Sequence, residues 1–135
     1  MRYPIYNFDI YQGADEFIPI AFYHDDEGKR NPYTITASSF LMTIKVDKSS
    51  EIIAQLSSDK TVDGRIKIGV INENIFKETT EAPFAVQVFF PHEMTSSFQY
   101  PTLVYDLFKI DKNGIREMML HGKITVEKSV SYGDN

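Results

Sequence analysis

The sequence predicts one all-β domain of about eight short antiparallel strands, arranged as a sandwich or small barrel. Apolar residues alternate with polar residues in run after run, as they do in strands with one buried face. The chain has ten Phe and eight Tyr but no Trp, and aromatic residues favour strands. The segments between the runs are too short for the crossover helices that a parallel sheet requires. At 135 residues, the chain fits a single domain over 1–135.

Runs of alternating apolar residues mark the strands in chain order. They are Tyr6, Phe8 and Ile10, then Ile18, Ile20 and Phe22, then Phe40, Met42, Ile44 and Val46, then Ile52, Ala54 and Leu56, then Ile66, Ile68 and Val70, and then Phe84, Val86, Val88 and Phe90. Pro19 has no backbone N–H, so it predicts that the second strand lies at a sheet edge or contains a bulge.

The stretch from 104 to 126 predicts the closing β-hairpin of the domain. Its apolar residues alternate on both sides of Asn113-Gly114, a pair that is typical of a tight turn with positive φ values. We expect Tyr105 to bury its ring and to give its hydroxyl to a backbone partner. The residues expected on the core face are Met118, Leu120, Ile124 and Val126.

Turn signals separate the strands. The predicted turn residues are Gly13, Gly28, Gly64, Asn113 and Gly114. The segment NENIFKETTEA predicts a short helical turn near residues 73–80, since Asn72 or Asn74 could cap it. Residues 92–101 are expected to form a polar loop, and residues from about 128 to 135 a frayed tail.

Composition excludes several classes of protein. The net charge of -5 argues against a nucleic-acid or anionic-membrane binder, because both need a basic face. With no cysteine, there are no disulfides and no thiolate sites, which fits a reducing cytosol. The start of the chain has no continuous apolar segment of a signal peptide, and no run approaches the ~18 apolar residues of a membrane span.

No pattern predicts a catalytic or metal site. His24, His92 and His121 are not at metal-ligand spacing. The acidic run at 25–28 lacks the ligand spacing of a calcium loop, so a charged hairpin tip is the simpler interpretation. Asp9, Asp15 and Glu16 could face a sugar or a cation, or form only an acidic turn. Asp106 could act as an acid or base, but it is more simply a strand residue. We therefore expect no cofactor, no metal and no enzymatic activity.

Several aromatic residues lie in loops or off the main alternating faces. They are Tyr3, Tyr11, Tyr23, Phe89, Phe98 and Tyr100. Such side chains are favoured as anchors at protein interfaces and as platforms for sugar rings, so they are the candidate partner or glycan interface. The alternative is that some of them face the core, because a shift of one residue reverses the two faces of a strand.

The order of short motifs resembles a family of small structural proteins of tailed-phage particles that have an immunoglobulin-like β-sandwich. The resemblance spans residues from about 6 to 127. The matching residues are Gln12 and Gly13, Asp26 and Gly28, Thr34 and Thr36, Ile44 and Lys45, Thr79 and Thr80, Tyr105, Asp106 and Leu107, Asp111 and Gly114, and Gly122 and Val126. Two departures are Lys45, where Arg is more usual, and the segment NPYTIT, which lacks a leucine-threonine-glycine turn.

The resemblance implies a non-enzymatic assembly module at the neck, baseplate or fibre attachment of a phage. Its partners would be other virion proteins in a symmetric assembly, and it would be found in the virion and, before assembly, in the host cytoplasm. The alternative is a carbohydrate- or receptor-binding sandwich that uses Phe98 and Tyr100 as stacking groups. A small β-barrel enzyme, or a regulator that binds a host protein, is a third hypothesis.

Overall fold

The computed structural model describes residues 4–48, 50–59 and 65–128. This part of the chain forms eleven strands and one short helix. They are β1 (Phe8–Tyr11), β2 (Glu16–Ala21), β3 (Tyr23–Asp26), β4 (Lys29–Pro32), β5 (Ser39–Lys45), β6 (Ile52–Ser57), β7 (Ile66–Asn72), β8 (Ile75–Glu78), β9 (Ala85–Phe90), α1 (His92–Ser97), β10 (Thr102–Ile110) and β11 (Arg116–Glu127).

The strands form two main sheets that pack face to face. One has the order β1-β11-β10-β5-β6, the other has the order β2-β9-β7-β8, and β3 and β4 form a separate hairpin. The predicted all-β sandwich is therefore confirmed. The structure corrects two details. The described residues form eleven strands rather than about eight, since β3, β4 and β8 were not counted, and β1 runs parallel to β11.

Alternating side chains from both sheets fill the core. The largest fully buried side chains include Phe40, Met42 and Ile44 of β5, Val86, Val88 and Phe90 of β9, and Leu103 and Leu107 of β10. Those of β5 and β9 were recognised from alternation, because a strand with one buried face repeats every two residues, whereas Leu103 and Leu107 were not named as core residues. Pro19 lies in β2, an edge strand, as its missing N–H predicts.

Tyr105 links β10, in the middle of the five-stranded sheet, to the segment that precedes the edge strand β1. Its ring is 4% exposed, and its hydroxyl donates a hydrogen bond of 2.5 Å to the carbonyl oxygen of Tyr6. The expected burial and backbone partner of this side chain are both confirmed. Burial raises the pKa of Tyr105 well above its ordinary value, so the hydroxyl remains a donor at every ordinary pH.

The predicted helical turn near residues 73–80 is wrong. Residues 66–72 and 75–78 instead form the hairpin of β7 and β8. The two residues between the strands, Glu73 and Asn74, have φ values of 51° and 66°. Two successive positive φ values define the tight turn that matches the twist of a hairpin, and asparagine accepts this conformation more readily than most residues.

The single helix of the described chain, α1, lies where the sequence indicated a polar loop. It spans six residues and follows Pro91 at its N-cap. Six residues are too few for a helical period of apolar side chains to become visible. Contacts with the β1–β2 turn hold this helix, so local sequence alone could not predict it.

The closing hairpin of β10 and β11 is confirmed, but its turn differs from the prediction. The turn has five residues, 111–115, and only Gly114 has a positive φ, 82°. The Asp111 carboxylate accepts the backbone N–H groups of Asn113 and Ile115. A bulge after Leu107 also shifts the register, so Met119 rather than Met118 packs against the core.

The other predicted turns are partly tested. Gly13 and Gly28 have φ values of 86° and 80°, which confirms both as turn glycines. Gly64, Tyr3 and the predicted tail from residue 129 onward lie outside the described residues.

Candidate interaction surface at the helix end

Several chain segments meet at the end of the sandwich that carries α1, which we call the helix end. Strand β9 ends there and β10 begins there, with α1 between them. Strands β1 and β11 also end there, because Tyr11 pairs with Glu127. Strand β2 starts beside the end of β9, where Glu16 pairs with Phe90. The β1–β2 turn and α1 are therefore neighbours.

A buried polar joint fixes α1 to the β1–β2 turn. The Thr95 hydroxyl accepts the N–H of Gly13 at 3.0 Å and donates to the carbonyl of Ala14 at 2.9 Å. The Gln12 side chain donates to the carbonyl of Phe98 at 3.0 Å. Thr95 is fully buried and Gln12 is 9% exposed. Buried polar groups that are satisfied in this way hold one arrangement, because breaking it leaves donors and acceptors unpaired.

Asp15 adds an exposed contact at the start of the helix. Its carboxylate accepts the backbone N–H of His92 at 2.6 Å and lies 3.0 Å from Nδ1 of the same residue. These hydrogen bonds hold the pKa of Asp15 below its usual value. Glu16 accepts the N–H of Tyr11 at 2.6 Å. Both carboxylates thus serve the turn, which favours the acidic-turn interpretation over a sugar or cation site.

Four aromatic side chains lie in the segments that meet at this end, and we call them the helix-end surface: Tyr11, Phe17, Phe89 and Tyr100. Tyr11 is 49% exposed, Phe17 57% and Tyr100 50%. Phe17 and Phe89 pair across β2 and β9 on the outer face of their sheet, and their rings stack at 4.7 Å between centroids. A hydrogen bond with Glu127 raises the pKa of Tyr11. Side chains of this kind are typical anchors at protein interfaces.

The predicted interface residues are only partly brought together. Tyr11, Phe89 and Tyr100 belong to the helix end, and Tyr23 is exposed elsewhere, where Arg30 lies 4.1 Å above its ring. The prediction for Phe98 is wrong: the side chain is 3% exposed and belongs to the core. Phe98 is the residue that ends α1, and the backbone at the end of this helix directs its side chain into the core.

Phe17 is the residue that sequence reasoning missed. Its neighbours Ile18 and Ile20 were assigned to the core face, so alternation already placed Phe17 on the outer face. A single exposed Phe is common, but Phe17 stacks on Phe89, and contiguous exposed apolar side chains mark interaction sites.

The histidines and acidic runs do not assemble into a metal site. Within residues 4–48, 50–59 and 65–128, no group of three or more potential ligands could hold a metal ion. His92 contacts Asp15, and His24 packs edge-on against Tyr33. The acidic run at 25–28 forms the tip of the β3–β4 hairpin, where Glu27 and Gly28 make the turn. In the same described part of the chain, no helix has the length and apolar character to cross a membrane.

The fold and this surface define an all-β sandwich with an aromatic, rigidly supported end. No protein-family model matches the chain, and no curated protein matches it.

Proposed function

We propose that the protein is a non-enzymatic assembly module of a tailed-phage particle, which docks onto other virion proteins through the helix-end surface. The observation that carries this proposal is the set of aromatic side chains at the helix end, three of them about half exposed, beside a buried polar joint. Exposed aromatic side chains supply apolar contact area at low cost in side-chain entropy. The joint of Thr95 and Gln12 fixes the β1–β2 turn to α1, and the pairing of β2 with β9 positions Phe17 and Phe89. A preformed surface of this kind binds without first becoming ordered.

The strand order supports the immunoglobulin-like part of the proposal. Strands β11-β10-β5-β6 are adjacent in the order in which a variable-type immunoglobulin domain has G, F, C and C′. Strands β2-β9-β7 are adjacent in the order of B, E and D. Labelled in this way, the strands also follow one another along the chain in alphabetical order. The additional β8 and the β3–β4 hairpin are insertions relative to this scheme.

Apolar side chains beside the helix end also support docking there. Ile52 and Ile53 begin β6, an edge strand that lies at the same end, and they are 52% and 40% exposed. An unpaired strand edge with apolar side chains is a ready partner for another chain. In a symmetric particle, each copy would present the same end to its neighbour. The protein would then be located in the virion and, before assembly, in the host cytoplasm.

Mass spectrometry of purified particles tests this proposal. We expect the wild-type protein in the particles at a fixed ratio to the other virion proteins. The double variant Phe17→Ser and Tyr100→Ser should fold normally, since both side chains are half exposed or more, and should be missing from the particles. The matched control, Ile75→Ser with Ile115→Ser, changes exposed residues at the opposite end and should be incorporated. Particles that lack the wild-type protein would overturn the proposal.

A carbohydrate- or receptor-binding module is the second candidate function. The stacked rings of Phe17 and Phe89 offer an apolar platform of the kind that packs against a sugar ring. Phe98 is buried and takes no part, so Tyr100 remains from the residues first considered for stacking. Binding of the isolated protein to a glycan array, with loss on Phe17→Ala, would favour this function over assembly.

A further inference from the structure

A second surface lies on the outer face of the five-stranded sheet. It is a groove of about 710 Å³. One wall is the segment at residues 5–7, which runs beside β11 with a bridge between Ile5 and His121. Lys48, in the turn after β5, lies at the other side. The helix-end surface contributes no residue to this groove.

Two rows of side chains form the floor of the groove. Strands β5, β10 and β11 are in register, so Thr43, Asp106 and His121 lie side by side in one row. Lys45, Val104 and Lys123 form the next row. Both rows face outward, because the residues that alternate with them point into the core.

The charge of the groove is opposite to that of the whole protein. Lys45, Lys48 and Lys123 line it, with Asp106 as the one carboxylate among its described lining residues, although the chain carries a net charge of -5. The salt bridges of residues 4–48, 50–59 and 65–128 use Asp15, Glu93 and Glu117 as their acids. None of these salt bridges uses a groove lysine, and although Lys45 attracts the Asp106 carboxylate, the three lysines leave the groove with a positive balance that a concave surface concentrates.

The same groove also offers apolar contacts. Val104 lies between the two lysines of its row, Met118 follows along the floor, and Ile5 is 64% exposed on the wall. Long lysine side chains add their methylene groups to such a surface. Pockets for small molecules have this composition, with a mainly apolar lining and a few polar groups that fix the orientation of the ligand.

We propose that this groove binds a small organic anion. Its carboxylate or phosphate group lies between Lys45 and Lys123, and its apolar body packs against Val104, Met118 and Ile5. The Thr43 hydroxyl already accepts a hydrogen bond from Gln55, so its own hydrogen is free to be donated to the anion. Charge-assisted hydrogen bonds from lysine give the anion its affinity, and the apolar floor selects anions with a hydrophobic part.

An NMR titration of the ¹⁵N-labelled protein with phenyl phosphate and with benzoate tests the proposal. We expect amide shifts concentrated at the groove strands, β5, β10 and β11, that weaken as salt is added. A preference for one probe identifies the oxyanion as phosphate or carboxylate, and equal binding means that the groove accepts both. Benzyl alcohol lacks the charge and inorganic phosphate lacks the apolar body, so both should bind more weakly. Equal binding of benzyl alcohol, or shifts spread over both sheets, would overturn the proposal.

Charge-removing variants make the test specific. Lys45→Gln and Lys123→Gln should each weaken binding about tenfold, because each removes one charge-assisted hydrogen bond. Lys67→Gln is the matched control, since Lys67 is exposed on β7 of the other sheet. An equal loss in Lys67→Gln would show attraction to overall charge only, and would overturn the site. Unchanged binding in both groove variants would also overturn it.

Discussion

Gly122 is a position where a single added carbon disturbs the five-stranded sheet. A Cβ at this residue would lie 2.1 Å from the carbonyl oxygen of Tyr6 and 2.8 Å from the side-chain oxygen of Asn7. Gly122 pairs with Tyr105 across the strands, and the Tyr105 hydroxyl binds the same carbonyl of Tyr6. The absence of a side chain at Gly122 thus permits the segment before β1 to approach β11 closely.

Gly122→Ala should therefore lower the free energy of unfolding by about 3 kcal/mol or more, since overpacking would displace backbone and break the Tyr105 hydrogen bond. Gly28→Ala is the control: an added Cβ there meets no atom within 4 Å, and only its φ of +80° opposes it, which costs about 1 kcal/mol. Urea unfolding of both variants measures the difference. A smaller loss in Gly122→Ala than in Gly28→Ala would contradict this explanation.

Asp106 gives the second prediction at the scale of single residues. Burial raises the pKa of its carboxyl above the ordinary value of 3.8, while Lys45 and His121 act in the opposite direction. The folded protein therefore holds this proton more tightly than the unfolded chain. Protonated Asp106 therefore contributes to the free energy of unfolding below pH 3.8, and this contribution is lost as the pH rises through the folded-state pKa.

Asp106→Asn should accordingly stabilise the protein at neutral pH and give no gain at pH 3, where the carboxyl is already protonated in both states. Unfolding in urea at the two pH values measures this, with Asp25→Asn in the exposed β3–β4 hairpin as the control. The variant should also bind phenyl phosphate more tightly, because the groove loses its negative charge. A loss of stability of Asp106→Asn at neutral pH would contradict a raised pKa of Asp106 in the folded protein.

At the scale of elements, the strands were predictable where one face is buried and the other is not. Burial alternates along most of β5 and β9, and the alternation of apolar residues in the sequence predicted both strands. The β7–β8 hairpin was missed because Asn74 serves both as a helix cap and as a turn residue with positive φ. Only the pairing of β7 with β9 and β8 decides between these two roles.

Two side chains were misplaced because their direction depends on irregular backbone. The bulge after Leu107 moves Met118 to the groove and Met119 towards the core, and a bulge leaves no clear mark on the alternation. Phe98 follows the six-residue helix α1, whose position depends on Thr95 and distant backbone groups. The polar joint could not be read from sequence, since Gln12 and Phe98 are 86 residues apart.

The polar joint itself yields a prediction for this element. Thr95→Val keeps the shape of the side chain but removes the hydroxyl that binds Gly13 and Ala14, leaving both backbone groups without their partner. We expect a loss of about 2 kcal/mol, from two buried groups without a hydrogen bond. Ser97→Ala removes an exposed hydroxyl from the same helix and should cost less than about 0.5 kcal/mol. Urea unfolding compares the two variants, and equal losses would contradict a structural joint at Thr95.

At the scale of the whole molecule, the aromatic helix-end surface and the lysine-lined groove share no residue. Tyr11, Phe17 and Tyr100 are at the helix end, whereas Lys45 and Lys123 lie on the outer face of the five-stranded sheet. No surface residue of one group lies in the other. Because the two sets of side chains do not overlap, the two proposals can be tested separately with variants of each surface.

Variants of each surface should therefore change one property and leave the other unchanged. The variant Phe17→Ser with Tyr100→Ser should be missing from particles yet bind phenyl phosphate with the affinity of the wild type, because its groove is intact. The variant Lys45→Gln with Lys123→Gln should enter particles normally and bind the probe at least tenfold more weakly. Thermal unfolding of both variants, at or near the wild-type midpoint, excludes a general loss of stability. Exclusion of the lysine variant from particles would mean that the groove receives an acidic group of a neighbouring virion protein rather than a small anion.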